Sequence, residues 1–125
     1  MIAAILSKRF PETNVLVVDG GSEALQLVDS RRFDLIVTDL MMPEMDGFEL
    51  VQEIRRRELD VPVILMTGFG NEETAVNALR AGATSYVPKR EIELLLVSTV
   101  ENVLSLSLSR RSKARLLSCM SDAQI

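Results

Sequence analysis

The sequence predicts an α/β domain built on a doubly wound parallel sheet, and two observations support this fold class. Four short runs are apolar on successive residues instead of alternate ones, which is typical of parallel strands covered on both faces. These runs alternate with stretches of helical periodicity, and strand–helix–strand order at this spacing favours right-handed crossovers. The four predicted strands are residues 14–18, 33–39, 61–67 and 83–87.

Helices are expected in the intervals between these strands. Ser22, Asp46 and Asn71 stand where N-caps are expected, and Gly82 stands where the third of these helices should stop. Residues 2–10 resemble the end of a helix terminated by Pro11, and a last helix is expected from about residue 91 to 104. The side chains predicted to face inward are Ala24, Leu25, Val28, Phe48, Val51, Ile54, Ala75, Val76, Leu79, Leu94, Val97, Val100 and Leu104.

Length and composition indicate one domain with a basic end. The 125 residues are 47% hydrophobic and carry a formal net charge of -4, which argues against nucleic acid as a direct partner of the folded part. The four basic residues of segment 107–125 are Arg110, Arg111, Lys113 and Arg115. We therefore expect a domain over residues 1–104 and a basic tail or linker helix over 105–125, and we expect deletion of 110–125 to leave the fold intact.

Several classes of protein are disfavoured by what the sequence lacks. The chain has one cysteine and no histidine, so an internal disulfide, histidine catalysis and histidine metal ligation are not expected. No apolar run approaches the length of a membrane span. The expected location is the cytoplasm, without membrane association.

Four polar residues follow or end the predicted strands: Asp19, Asp39, Thr67 and Lys89. In parallel α/β sheets, chemistry collects at the carboxyl ends of the strands. Taken singly, these residues are ordinarily a loop acid, a turn hydroxyl or a surface lysine. Together, a carboxylate, a hydroxyl and an ammonium at neighbouring strand ends indicate a site for a small anionic group.

Longer motifs resemble the receiver domains of bacterial two-component response regulators. The segment Asp34-Leu-Ile-Val-Thr-Asp39-Leu-Met-Met-Pro-Glu-Met-Asp-Gly47 resembles the phosphoacceptor strand and the loop after it. Residues 61–68, 75–83 and 86–89 are similar to the family's fourth strand, fourth helix and fifth strand, and Gly21-Ser-Glu-Ala-Leu25 to the start of its second helix. The resemblance covers roughly residues 1–104 and implies a flavodoxin-like receiver fold.

The resemblance implies a role for each matching residue. Asp39 would be the phosphoacceptor, with Lys89 and Thr67 binding the phosphoryl oxygens and Thr67 and Tyr86 acting as a switch. The carbonyl of Met41 and the carboxylate of Asp39 would hold Mg²⁺. The phosphoryl donor would be a histidine kinase or phosphotransfer protein, and the partner downstream an output domain or a separate protein. Such a module assists its own phosphoryl transfer but is not a metabolic enzyme.

The chain departs from the family pattern in two places. Arg90 follows Lys89 where the family has a proline with a cis bond. We expect a trans bond here, with some displacement of Lys89, because a non-proline cis bond costs about 3–4 kcal/mol. The second departure is larger, since the family's first strand and its two adjacent acids are missing before the first helix. Residues 15–18 are not that first strand, because Asp19 and Asp39 are only twenty positions apart. This interval has room for one helix, whereas two helices and a strand should separate the family's first strand from its phosphoacceptor strand.

In the family's sheet order 2-1-3-4-5, the missing strand lies between strands 2 and 3. Three outcomes are open: the natural protein is longer, two chains exchange elements, or strand 2 slides beside strand 3 and brings Asp19 to the metal site. A sheet with two exposed apolar edges is a liability. We therefore expect a rearranged or intermolecularly completed sheet and a homodimer.

Other functions remain as alternatives to the phosphoacceptor. A phosphorylation-independent pseudo-receiver, acting as an interaction or dimerisation module, would have the same fold with a weakened metal site. An aspartyl phosphatase would require a second acid two residues after Asp39, where Met41 stands. A flavin carrier would require a hydroxyl-rich phosphate loop, which the chain lacks.

Overall fold

A computed structural model describes residues 2–11, 13–41, 45–68, 72–107 and 115–119. The helices are α1 (Ile2–Arg9), α2 (Gly21–Ser30), α3 (Gly47–Arg56), α4 (Glu72–Ala81) and α5 (Val97–Ser107), and the strands are β1 (Asn14–Val18), β2 (Leu35–Asp39), β3 (Val63–Thr67), β4 (Ser85–Pro88) and β5 (Arg115–Cys119). A 3₁₀ turn (Lys89–Glu91) and a π-helical turn (Ile92–Leu96) connect β4 to α5.

The five strands form one parallel sheet in the order β1-β5-β2-β3-β4. The C-terminal strand β5 therefore lies second from the edge, with β1 on one side and β2 on the other. Leu117 pairs in register with Leu16 and with Ile36, and it is fully buried. This is the position between the second and third strands of the family order, which the sequence analysis left empty.

The placement of β5 corrects two expectations. Residues 115–119 are not part of a tail or linker helix but of the sheet interior. Strand β1 does not slide beside β2, because β5 lies between them. The segment was predicted as a tail because Leu116 and Leu117 stand in a short, basic stretch, so its apolar pattern is weak.

Two helical layers cover the sheet. Helices α1 and α5 pack on one face, around Leu6, Val37, Ile64 and Val100. Helices α2, α3 and α4 pack on the other face, around Ile36, Leu65, Ile54, Ala78 and Leu117. The predicted α/β class with a doubly wound parallel sheet is confirmed.

The connection through α5 has the same handedness as the connection through α2. The β1–α2–β2 connection runs in one direction along the sheet with its helix on one face, and the β4–α5–β5 connection runs in the opposite direction with its helix on the opposite face. Reversing both the direction and the face preserves the hand, so the two connections have the same hand, as expected because parallel crossovers almost always adopt one hand. A C-terminal strand in this position is therefore topologically ordinary.

The helix ends match the sequence at some positions and differ at others. Asp46 caps α3, accepting from the Glu49 backbone N–H at 2.8 Å in a capping box. Helix α2 begins one residue before Ser22 and has no side-chain cap, so that predicted cap is wrong. Gly82 ends α4 with φ +116°, as expected of a stop glycine. The cap predicted at Asn71 lies outside the described residues.

Some residues expected inward are exposed. Val76 and Leu79 of α4 are 46% and 52% exposed, and Leu94 of the π-helical turn is 80% exposed. Helix α4 instead buries Ala78. The predicted face of α4 was wrong because the helix contacts the sheet over a narrow stripe of small residues. Among the residues described, no helix is both long and apolar enough to span a membrane.

Candidate functional site

The site lies where β2, β3 and β4 end. Asp39 is the last residue of β2, Thr67 is the last residue of β3, and Lys89 directly follows β4. The three strands are consecutive in the sheet, with Asp39 paired in register with Met66 and Thr67 paired with Pro88. The structure thus places Asp39, Thr67 and Lys89 at three adjacent strand ends, where the sequence predicted them.

The carboxylate of Asp39 forms a buried ion pair with Lys89. Lys89 Nζ donates to Asp39 Oδ2 at 2.9 Å, and the two side chains are 14% and 1% exposed. A charge that is this buried is tolerated only when it is paired. The Lys89–Arg90 peptide is trans, as expected, and the lysine reaches the acid all the same.

The second carboxylate oxygen of Asp39 has a different environment. Asp39 Oδ1 is buried and has no hydrogen-bond partner among the described residues. Buried carboxylate oxygens are normally satisfied by donors, water or a cation. The carboxylate of Asp39 is therefore held by Lys89 at one oxygen, whereas its other oxygen has no hydrogen-bond partner among the described residues.

The loop after Asp39 is anchored close to the strand. The Leu40 N–H donates to the Met66 carbonyl at 2.8 Å, and the Gly47 N–H donates to the Leu40 carbonyl at 2.8 Å. A Cβ on Gly47 would lie 2.8 Å from the carbonyl oxygen of Asp39, so only glycine allows α3 to start this near Asp39. This role of Gly47 was not predicted from the sequence, although the glycine directly follows the Asp46 cap.

Two more predicted residues have identifiable surroundings. The side chain of Met41 is 57% exposed, which suits a contribution from its backbone carbonyl instead of its side chain. Tyr86 of β4 packs against the buried residues on the α2–α3–α4 face. Burial raises the pKa of the Tyr86 phenol, while the positive charge of Arg90 acts in the opposite direction.

Asp19 is not beside the acceptor. It follows β1, and β5 separates β1 from β2, so the strand ends are about 10 Å apart at the usual spacing of 4.7–4.9 Å per strand. The expectation that a slid strand would bring Asp19 to the metal site is therefore wrong. The residues described contain no group of three or more acids, cysteines or histidines that could hold a metal ion.

Comparisons with known proteins place this chain in a family. The model of the response regulator receiver domain matches residues 1–101. The chain is 39% identical over 92 residues to the transcriptional regulatory protein ZraR of Escherichia coli O157:H7, covering 74% of this chain and 21% of that protein. It is 37% identical over 91 residues to the response regulator SaeR of Staphylococcus aureus strain USA300, covering 73% of this chain and 40% of that protein. The chain thus spans between about a fifth and two fifths of these curated relatives.

Solved structures agree with this assignment. The receiver domain of the Francisella response regulator 1452 matches with a TM-score of 0.76 at 29% identity, covering 86% of this chain and 90% of that one. The receiver domain of NtrX from Brucella abortus matches with a TM-score of 0.76 at 30% identity, covering 85% and 88%. The parallel α/β fold is the one that these receiver-domain structures share. The chain belongs to the response regulator receiver domain family of two-component signal transduction, whose members are phosphoacceptors and not metabolic enzymes.

Proposed function

We propose that the chain accepts a phosphoryl group on Asp39 from a partner histidine kinase or phosphotransfer protein. The observation that carries this proposal is the buried ion pair of Asp39 and Lys89, with Thr67 at the end of the strand between them. A structural salt bridge alone would not require a hydroxyl at the intervening strand end. The arrangement has the charges and the donor that a bound phosphoryl group needs.

In the proposed transfer, a carboxylate oxygen of Asp39 forms a bond to phosphorus as the bond from phosphorus to the donor's histidine nitrogen breaks. The imidazole leaves with the electron pair of that bond. Lys89 exchanges its contact with Asp39 Oδ2 for one with a phosphoryl oxygen, and the hydroxyl of Thr67 donates to another. Positioning and charge neutralisation of this kind supply most of the catalysis in phosphoryl transfer. In this sense, the chain assists its own phosphorylation.

We propose that Thr67 and Tyr86 change conformation when Asp39 is phosphorylated. Thr67 is 1% exposed and stands at the end of β3, where movement towards a new phosphoryl oxygen would displace the loop that follows. Tyr86 lies on the neighbouring strand β4 and would adopt a second rotamer when that loop moves. A charge added at a packed strand end can shift the equilibrium between two conformations in this way.

The residues present fit a weak Mg²⁺ site. The unpartnered Asp39 Oδ1 and the carbonyl of Met41 would be its protein ligands, whereas the described residues supply no acidic cluster. Mg²⁺ is usually held by one or two carboxylates with several waters. When bound, Mg²⁺ would neutralise charge on the phosphoryl oxygens.

We therefore expect Mg²⁺ to bind more weakly than in receivers that keep an acidic pair. Isothermal titration with Mg²⁺ measures this affinity for the wild-type chain and two variants. Asp39→Ala should lose binding, and Asp19→Ala should bind as the wild type does, because Asp19 lies two strands away. Tight Mg²⁺ binding, or binding that depends on Asp19, would contradict the proposed ligand set.

The second candidate function is a phosphorylation-independent pseudo-receiver. It is favoured by the burial of Asp39, which is 1% exposed, because a phosphodonor reaches the carboxylate only when the residues covering it move aside. The two functions are distinguished by labelling: the chain is incubated with acetyl phosphate and Mg²⁺, and its intact mass is followed with time. One added phosphoryl group supports the phosphoacceptor, and an unchanged mass supports the pseudo-receiver.

We also propose a homodimer, now for a different reason from the empty sheet position. Val76 and Leu79 of α4 and Leu94 after β4 are large apolar side chains that are 46–80% exposed, and both segments contact β4. A second copy that covers this surface would remove apolar area from water. Light scattering at micromolar concentration should show a dimer, and Leu94→Asp should convert it to a monomer. A wild-type chain that scatters as a monomer would defeat this proposal.

The remaining partners and the location are proposals as well. An output domain or a separate effector protein would respond to the phosphorylated state, and the negative net charge of the chain does not favour direct contact of this part with nucleic acid. The proposed location is the cytoplasm, where such a kinase would present its phosphohistidine.

A further inference from the structure

Two buried side-chain oxygens have no hydrogen-bond partner among the residues that the structure describes, Ser118 Oγ on β5 and Asp39 Oδ1 on β2. The two side chains are 0% and 1% exposed. A buried hydroxyl or carboxylate oxygen without a partner is unfavourable, and buried oxygens of this kind are usually satisfied by protein groups or ordered water. Each of the two oxygens is therefore expected to have a hydrogen-bond partner.

The sheet register places the two residues on the same face of adjacent strands. Ser118 pairs with Val37, and paired residues of neighbouring strands point to the same side. Asp39 is two residues beyond Val37, so it returns to that side. The faces are consistent with the packing, because Val37 belongs to the α1–α5 side and Leu117, the neighbour of Ser118, belongs to the opposite side.

The separation of the two residues suits one water molecule. With strands about 4.8 Å apart and a rise of about 3.3 Å per residue, the two Cα atoms are about 8 Å apart. The side chains shorten this distance, leaving a gap too wide for a direct hydrogen bond. A water that bridges two polar groups is nearly as favourable as a direct hydrogen bond.

We propose that Ser118 Oγ and Asp39 Oδ1 share one buried water, and that Ser118 is thereby a positioning residue for the acceptor. With Lys89 holding Oδ2 and the water holding Oδ1, both oxygens of the carboxylate are fixed in direction. The positioning role rests on the proposed phosphoacceptor function, whereas the water link itself does not. Through this water, the position of β5 in the sheet determines the orientation of the Asp39 carboxylate.

The test is a double-mutant cycle on the unfolding equilibrium of the full chain in urea, with Ser118→Ala and Asp39→Ala. In the wild-type background, Ser118→Ala should lower the folding equilibrium constant about fivefold, which is about 1 kcal/mol, because it leaves Asp39 Oδ1 and the water with one partner fewer. In the Asp39→Ala background, the same change should be neutral or stabilising. Thr84→Ala, at the opposite end of the sheet, provides the control and should be additive with Ser118→Ala.

One result of this cycle would refute the water link. If Ser118→Ala stabilises the chain to the same extent in both backgrounds, the hydroxyl is a dry, unsatisfied group and the link is refuted. A crystal structure of the full chain gives an independent measurement should Asp39→Ala not fold. In crystals grown without Mg²⁺, density for a water within hydrogen-bond distance of both oxygens supports the link, and a protein group bonded to either oxygen in place of that water overturns it.

Labelling with acetyl phosphate separates the link from the proposed function. If Asp39 is the acceptor and Ser118 positions it, Ser118→Ala should slow labelling about tenfold at saturating donor and leave the half-saturating donor concentration unchanged. An unchanged rate, with coupling present in the cycle, refutes the positioning role but keeps the water link. No labelling of the wild type refutes the proposed function, and with it the positioning role.

Discussion

The substitution Asp39→Asn is expected to abolish phosphoryl labelling. Asparagine keeps the shape of the side chain and an oxygen that can accept from Lys89, but it lacks the carboxylate that attacks phosphorus. The chain should stay folded, because the charge left without its ionic partner is that of Lys89. This side chain is 14% exposed, compared with 1% for Asp39, so water can partly solvate its ammonium group. Intact-mass spectrometry after incubation with acetyl phosphate and Mg²⁺ measures the label, and circular dichroism checks the fold.

A matched control is available in the same chain. Asp19 also follows a parallel strand but is exposed at the edge strand β1. Asp19→Asn should therefore accept as much label as the wild type. Equal labelling of Asp39→Asn and wild type would show that the acceptor is another residue, and loss of label in Asp19→Asn would show that β1 contributes to the site.

Removal of the C-terminal strand is expected to abolish cooperative unfolding. Truncation after Ser107 leaves β1 and β2 unpaired on the sides that β5 occupies. It also removes Leu117, which is fully buried and worth about 1.5–3 kcal/mol on burial alone. Because a whole domain is stable by only about 5–15 kcal/mol, the loss of a central strand exceeds what the remaining sheet can tolerate. Urea denaturation followed by circular dichroism is the measurement.

Point substitutions test the same strand without shortening the chain. Leu117→Ala should cost about 2–5 kcal/mol, as is usual for a buried leucine, whereas Leu94→Ala should change stability by no more than about 0.5 kcal/mol, because Leu94 is 80% exposed. Similar, small effects of the two substitutions would show that β5 is not part of the core. For deletion of residues 110–125, the sequence alone predicted the contrary result, that the fold stays intact.

The part of the fold that the sequence predicted is the part with long, uninterrupted apolar runs. Strands β2 and β3 are buried at every position, and their apolar runs lead directly to Asp39 and Thr67, so both the strands and the site residues could be found. The pair of Asp39 and Lys89 followed from strand order, because consecutive parallel strands bring their ends together.

The remainder depended on tertiary contacts that leave little trace in the sequence. Strand β5 has only five residues, one of them a buried serine, and it follows a basic segment, so nothing local distinguishes it from a tail. Its position is determined by the unpaired edges of β1 and β2, which are distant in the chain. The exposed face of α4 was misassigned for a related reason, since Val76 and Leu79 are apolar but Ala78 makes the contact with the sheet.

Hydrogen exchange of the full chain tests most directly the claim that its own C-terminal strand completes the receiver sheet beside Asp39. In native buffer at low protein concentration, the backbone amides of Leu116, Leu117 and Ser118 should exchange as slowly as those of β2 and β3, because all three strands are hydrogen-bonded within one cooperative sheet. Protection of β2 and β3 with exchange of residues 116–118 at the rate of an unstructured chain would contradict the claim.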